Sequence, residues 1–195
     1  MIPVESPKPL PTCYPTPNMP VIVEAVCIST PGRRVAKEPR EQAYCAPAGF
    51  EGDRHAGETR ISSRSGGPIP NRRQWSAVST DEVEAFCREL GVAPFAFGEM
   101  GENIRLRGIH LASVTPGTVL EFPSGCRLQV STQNDPCDNA AEELSLTYGP
   151  AVRRYFVKAS FGRRGVVGTV LAPGLIRPGD EVSVRLPRPA SSLPA

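Results

Sequence analysis

A single cysteine stands in a polar, proline-broken turn in the second half of the chain. Residues 132–139 read Thr-Gln-Asn-Asp-Pro-Cys-Asp-Asn, so two carboxylates, two asparagine amides and a proline surround Cys137. The thiolate is the form of cysteine that binds metals and attacks electrophiles, and it needs an accessible place near donors and positive charge. We therefore interpret Cys137 as a metal ligand or a nucleophile. The alternative is a small buried apolar residue, which is the commoner role of a free cysteine.

A second polar stretch presents an acid, a guanidinium and an imidazole together. Residues 49–57 read Gly-Phe-Glu-Gly-Asp-Arg-His-Ala-Gly, and His55 is one of two histidines in the chain. Glycines allow backbone conformations that let a loop approach a ligand closely. Asp53 and His55 are therefore candidate catalytic residues. An imidazole that only holds the loop together is the competing interpretation.

A third stretch combines serines, a Gly-Gly pair and three arginines, Arg64, Arg72 and Arg73, within residues 62–75. The planar guanidinium fork suits phosphate, and amides freed by the glycines add donors. The spacing differs from that of a P-loop. We expect an anion cradle here, with a flexible, solvated loop as the alternative. Arg33, Arg34, Lys37 and Arg40 lie in a predicted loop over residues 31–48, where a solvated surface and a phosphate-facing role both remain open.

The elements that must position these residues are short strands. The chain has 195 residues, with 22 prolines and 18 glycines, which favours many turns and opposes long helices. Residues 21–28 predict a strand, and residues 118–122 and 126–130 predict a hairpin that leads to Cys137. We predict a mainly β protein, a closed β-barrel with a few short helices over residues 20–186. Residues 1–19 are expected to be a disordered, Pro-rich tail and residues 187–195 a flexible one.

One helix is predicted with both of its ends. Ser79 and Glu82 form a capping-box pattern, and Gly91 suits the C-terminal end. Shorter helices are expected over residues 138–144 and 150–159.

Charge and cysteine content exclude several classes of protein. A net charge of +2 makes nucleic acid an improbable partner. No apolar run reaches the length of a membrane span, and the N-terminus lacks a secretion signal, so we expect a cytoplasmic protein with no membrane partner. The six cysteines include no C-x-x-C pair, which opposes a zinc knuckle, and reduced thiols are expected.

Several stretches, taken in order, resemble the MOSC domain, a family named for the C-terminal part of molybdenum-cofactor sulfurases. They are Gly52-Asp53-Arg54-His55, Phe97-Gly98-Glu99 with Gly101-Glu102-Asn103-Ile104, the strand leading into Pro136-Cys137, and residues 163–180. The resemblance covers most of residues 20–186. The chain departs from relatives that carry a His-Gly-Gly run after the G-D-x-H motif, because it has Ser65-Gly66-Gly67 there.

The resemblance implies a MOSC-type β-barrel that binds the molybdenum cofactor, molybdopterin. It implies that Cys137 is the metal ligand and that Asp53 and His55 are catalytic. Arg64, Arg72, Arg73, Asn103 and Asn139 become the expected cofactor-binding residues. Stand-alone relatives are associated with reducing N-hydroxylated small molecules, with electrons from a partner reductase. Pyridoxal phosphate is not expected, since in the full sulfurases it belongs to a separate domain.

Whether the chain is an enzyme stays open at this point, because two further functions fit the same residues. One is a sulfur carrier that holds a persulfide on Cys137, loaded by a sulfur donor, for metal-sulfur cluster or cofactor assembly. The other is a non-catalytic binding barrel, in which Cys137 has no role and basic loops could touch RNA. The lack of interleaved aromatic and basic residues, with Trp75 the one tryptophan, opposes RNA binding.

Overall fold

The first strand, β1 (Val21–Ser29), is where the sheet of this protein closes on itself. In the computed structural model, which describes residues 20–187, β1 pairs with β13 (Glu181–Arg185) on one side and with β8 (Ile104–Arg107) on the other. Eight of the nine residues of β1 are apolar, β-branched or small, the exception being Glu24, and they give β1 its strand character. The tail predicted over residues 1–19, with Cys13, and all but the first residue of the tail predicted over 187–195 lie outside the described residues.

Seven strands form the closed barrel, which confirms the predicted fold class. Around the ring, β1 is followed by β8, β7 (Trp75–Ser79), β11 (Val166–Ala172), β10 (Arg127–Gln133), β9 (Val119–Glu121) and β13, which pairs with β1 again. All neighbours are antiparallel except β7 and β8, which are parallel. A parallel pair needs a crossover between its strands, and α1 (Thr80–Leu90) supplies it.

The other strands lie beside the barrel. They are β2 (Lys37–Arg40), β3 (Ala43–Ala46), β4 (Gly49–Phe50), β5 (Thr59–Ile61), β6 (Pro68–Pro70) and β12 (Gly174–Ile176). The prediction of a loop over residues 31–48 was wrong, because β2 and β3 lie within it. β2 contains Pro39, which an edge strand tolerates, and in β3 the buried Ala43 and Cys45 alternate with the exposed Tyr44.

Three helices pack together against one part of the barrel: α1, α2 (Asp138–Tyr148) and α3 (Pro150–Ser160). The predicted ends of α1 are confirmed, since the Ser79 hydroxyl accepts the Glu82 N–H and Gly91 adopts a left-handed conformation with φ of 68°. Phe86 and Phe156 meet edge to face in the core between these helices. Among residues 20–187, no helix is long and apolar enough to cross a membrane.

Candidate functional site

Cys137 lies at the start of α2, where it borders a cavity of about 410 Å³. The volume falls in the range of small-molecule sites. Cys137 is the exposed cysteine of the described part of the chain, whereas Cys27, Cys45, Cys87 and Cys126 are buried. Its backbone is extended and its side chain makes no hydrogen bond to the helix. The sulfur is therefore accessible to a ligand in the cavity.

The charge around the cavity is predominantly positive. Four arginines line it, against one acidic residue, Asp135. The arginines are Arg34, Arg54, Arg73 and Arg164. The N-terminal end of α2 adds backbone N–H groups that have no acceptor within the helix. The lining therefore suits an anionic ligand.

Two of the arginines hold the loop before β2 in place. Arg54 donates to the carbonyl of Arg33 at 2.8 Å and to the carbonyl of Val35. Arg34 donates to the Asn139 Oδ1 at 2.7 Å, which ties this loop to α2. Asn139 therefore lines the cavity, as predicted from its position beside Cys137, but its carbonyl oxygen is already engaged within the protein.

The other two arginines have donors that the protein does not use. Arg164 is 7% exposed, its Nη2 donates to the Met100 carbonyl at 2.9 Å, and its Nε is buried with no acceptor among residues 20–187. Burial lowers the pKa of Arg164, and negative charge at Cys137 opposes this. Arg73 is exposed and donates one bond, at 2.6 Å, to the Asn134 Oδ1. Both guanidiniums line the cavity, and each makes one hydrogen bond within the protein.

His55 borders the same cavity, with Asp53 beneath it. The His55 Nδ1 lies 3.3 Å from the Asp53 Oδ1, and the imidazole is half-exposed while the carboxylate is fully buried. This contact favours the tautomer with the proton on Nδ1 and leaves Nε2 free. The structure therefore places Asp53 one layer below the cavity, where it can orient His55 but not touch a ligand.

A buried lysine pairs with Asp53 from the other side. The Lys37 Nζ lies 2.8 Å from the Asp53 Oδ2. Burial alone raises the pKa of Asp53, but the hydrogen bond from His55 and the charge of Lys37 outweigh it and hold that pKa well below its usual range. Burial has the opposite effect on the lysine, because it again disfavours the charged form, and it lowers the pKa of Lys37 to about 8. Lys37 was not predicted as part of the site. The sequence predicted a loop around it, and a loop gives no indication that a lysine side chain points into the protein.

Asn103 stabilises the network of contacts around the Asp53 carboxylate. Its Nδ2 donates to the Asp53 Oδ2 at 2.9 Å and to the Cys27 carbonyl at 3.1 Å, and its Oδ1 accepts from the Ser76 N–H at 3.2 Å. The amide is buried and touches the cavity wall. Since both ends of the amide are bonded to protein, Asn103 positions the wall and has little capacity left for a ligand.

Two predicted cofactor-binding residues lie elsewhere in the described structure. Arg64 is exposed in the turn between β5 and β6, and Arg72 is exposed just before β7; neither lines the cavity. Arg164 takes a place that sequence reasoning did not assign. The sequence feature that could have drawn attention to Arg164 is the pair Arg163-Arg164 followed by a glycine. Gly165, with φ of 84°, passes so close to the Ala77 carbonyl that a side chain would not fit there.

The accessible thiol lies beside a cationic cavity on a small closed barrel, an arrangement that suits an anionic ligand. The MOSC domain model matches residues 52–183, which is more than half of the chain. The chain therefore belongs to the MOSC domain family, as its motifs predicted.

The similar proteins found include a curated relative from Bacillus subtilis (strain 168), described as "Putative metal-sulfur cluster biosynthesis proteins YuaD". It is 34% identical over 145 residues, which are 70% of this chain and 76% of the relative. The crystal structure of the YUAD protein from Bacillus subtilis superposes with a TM-score of 0.80 at 30% identity, covering 85% of this chain and 96% of that one. YiiM from Geobacillus stearothermophilus shares the fold, with a TM-score of 0.63 at 19% identity over 85% of this chain and 75% of its own.

Proposed function

We propose that this protein binds the molybdenum cofactor, molybdopterin, in the cavity beside Cys137, with the Cys137 thiolate as a ligand of the metal. The observation that carries the proposal is one exposed sulfur next to a cavity lined by four arginines. A thiolate is a soft donor that suits a metal already held by sulfur, and guanidinium groups suit the phosphate of the pterin.

The residues present fit such a group. Arg164 and Arg73 line the cavity, where guanidinium groups suit a phosphate, and the cavity has the volume of a small-molecule site. Within residues 20–187 there is no group of three or more His, Cys, Asp or Glu side chains that could hold a metal ion. A metal that arrives with the dithiolene sulfurs of its pterin needs few ligands from the protein. Arg64 and Arg72, which lie away from the cavity, are not assigned to the cofactor.

The activity that we propose is the reduction of N-hydroxylated small molecules, as one component of an oxidoreductase in the cytoplasm. Converting an N-hydroxyl group to an amine and water consumes two electrons and two protons. A partner reductase would supply the electrons, and the bound cofactor would supply the oxygen-atom and electron transfer. His55, whose Nδ1 contacts Asp53, would take up a proton at its Nε2 and pass it to the substrate.

The second candidate function is a sulfur carrier with a persulfide on Cys137. Two observations favour it: the thiol is exposed, and the relative from Bacillus subtilis is described as a putative metal-sulfur cluster biosynthesis protein. A persulfide carrier needs an accessible sulfur and a donor, and it needs no resident metal.

The cofactor proposal is tested by expressing the protein in a host that makes the cofactor and measuring molybdenum and extracted pterin after gel filtration. We expect Arg164→Gln to retain much less of both than wild type, and Arg72→Gln, which changes an exposed arginine off the cavity, to retain the wild-type amounts. Circular dichroism establishes that each variant is folded. Equal retention by the two variants, or no molybdenum in wild type, would contradict the proposal.

A further inference from the structure

Two arginines and the residue that carries the reactive sulfur line the same cavity. Arg164 is nine-tenths buried and keeps a guanidinium nitrogen without an acceptor in the described structure. Arg73 lines the same cavity from its exposed side, and Cys137 itself begins α2.

These groups have the chemistry of an oxyanion site. A guanidinium binds the oxygens of phosphate, sulfate or sulfonate groups in a planar fork, and the first amides of a helix bind the same groups. Cys137 leaves those amides free, since its side chain makes no capping bond to them. An oxyanion held here would present whatever is bonded to it to the Cys137 sulfur.

We propose that Arg164, Arg73 and the N-terminal end of α2 form an oxyanion subsite, and that a small sulfane-sulfur oxyanion of the thiosulfate type binds there and transfers its outer sulfur to Cys137. The proposal rests on the sulfur-carrier function and names its donor. It assigns the loading step to a small molecule that the cavity recognises, so a donor protein is not required for it.

The reaction balances without an oxidant or a reductant. The Cys137 thiolate attacks the terminal sulfur of thiosulfate and forms a new sulfur–sulfur bond. The sulfur–sulfur bond of thiosulfate breaks, and its electron pair leaves with sulfite. The products are a Cys137 persulfide anion and sulfite, with the total charge and the number of electrons unchanged. Since negative charge grows on the leaving sulfite, the guanidiniums stabilise the transition state more than the bound donor.

The arginines that would hold sulfite or thiosulfate are the ones assigned to the phosphate of the cofactor. The cofactor-free protein is therefore the form that accepts sulfur. The remaining arginines, Arg34 and Arg54, donate hydrogen bonds to Asn139 and to loop carbonyls. They therefore stabilise the wall of the cavity and are not part of this subsite.

The test uses the full chain, purified without cofactor and incubated with thiosulfate under anaerobic conditions. Intact mass spectrometry and peptide mapping should show the addition of one sulfur atom at Cys137, with release of an equal amount of sulfite. Arg164→Gln should lower the loading rate about 100-fold at limiting thiosulfate. Arg73→Gln should lower it as well, and because Arg73 is exposed this second variant remains informative if Arg164→Gln fails to fold. Arg72→Gln should load as wild type does.

Inorganic polysulfide provides the comparison, because it donates sulfur but carries no oxyanion. Arg164→Gln should therefore lose much less of its loading rate with polysulfide than with thiosulfate. If polysulfide loads Cys137 and thiosulfate does not, the oxyanion subsite is refuted while the carrier function stands. If thiosulfate loads both arginine variants as fast as wild type, the assignment of the subsite is wrong. If neither donor modifies Cys137, both the oxyanion subsite and the carrier function are refuted.

Discussion

The Lys37 Nζ lies 2.8 Å from the Asp53 Oδ2, and both side chains are completely buried. Asp53 also accepts from the Ser29 N–H and hydroxyl and from Asn103, so its carboxylate is the centre of a network below the cavity. The network joins β1, β2 and the loop that carries His55. The ion pair is therefore part of what fixes the floor of the site.

Removing the lysine should destabilise the fold strongly. We expect Lys37→Met to lower the free energy of unfolding by about 3–5 kcal/mol, because Asp53 would be left as a buried carboxylate without its counter-charge. The double variant Lys37→Met/Asp53→Asn should lose less than Lys37→Met alone, since it removes both charges. Urea denaturation at pH 7 measures both. A loss below about 1 kcal/mol for Lys37→Met would show that the pair is not buried as described.

A buried glutamate should make stability depend on pH. The Glu82 Oε1 accepts from the Ala112 N–H at 2.8 Å, while its Oε2 is buried without a partner in the described residues. Burial raises the pKa of Glu82 from 4.5 to about 7. The folded protein keeps a proton that the unfolded chain releases, so this stabilisation is complete below pH 4.5 and is lost as the pH rises through about 7.

The expected loss over that window is on the order of 3 kcal/mol for the free energy of unfolding. Glu82→Gln, which stays neutral, should remove this part of the pH dependence. Glu41→Gln, at an exposed position, is the matched control and should keep it. Denaturant midpoints measured from pH 4 to pH 8 would decide, and parallel curves for wild type and Glu82→Gln would contradict the assignment.

Two glycines with positive φ allow the cost of backbone strain to be measured separately from the cost of a steric clash. A side chain on Gly165 (φ 84°) would lie 2.0 Å from the Ala77 carbonyl oxygen, whereas on Gly162 (φ 69°) nothing lies within 4 Å. Gly162→Ala should cost only backbone strain, about 1–2 kcal/mol in the free energy of unfolding. Gly165→Ala should cost about 2–3 kcal/mol more, because β7 and β11 must separate. Thermal or urea unfolding of the two variants compares them, and equal losses would refute the close approach.

The barrel and the ends of its main helix could be predicted because local signals carry them. Strand β1 and the hairpin of β9 and β10 follow from β-branched residues and turn dipeptides, and Ser79 and Gly91 bound α1 with their own backbone conformations. Strand β3 was missed because it pairs with β12, which is distant in sequence, and β2 was missed because it contains Pro39 and has no apolar alternation. Nothing local distinguishes such short edge strands from a loop.

The site was predictable as far as residue type and accessibility could indicate it. Cys137, His55, Arg73, Asn103 and Asn139 all border one cavity, while their roles in a site remain a prediction. Arginine direction could not be predicted, since Arg72 and Arg73 are neighbours and only the second lines the cavity. Arg164 was overlooked because residue type alone does not show that this arginine is buried beside the cavity.

His55 provides a test of the proton-transfer role. We expect His55→Gln to lower the rate of reduction of an N-hydroxylated substrate about 100-fold, with the molybdenum content unchanged, because the residue moves a proton and does not hold the metal. His110→Gln, which changes the other histidine at an exposed position away from the cavity, is the control. Steady-state rates with a reductase as electron donor measure the effect. Wild-type activity in His55→Gln would exclude it as the proton donor, and loss of molybdenum would assign it to the metal.

The most direct test of the central claim is the molybdenum content of the purified protein, measured by inductively coupled plasma mass spectrometry after expression in a host that makes the cofactor. Wild type and Asp138→Asn, which changes the exposed neighbour of Cys137, should carry stoichiometric molybdenum. Cys137→Ser should carry little, because the hydroxyl is a poor substitute for the soft thiolate. Equal molybdenum in Cys137→Ser and wild type, or none in either, would contradict a cofactor held through Cys137.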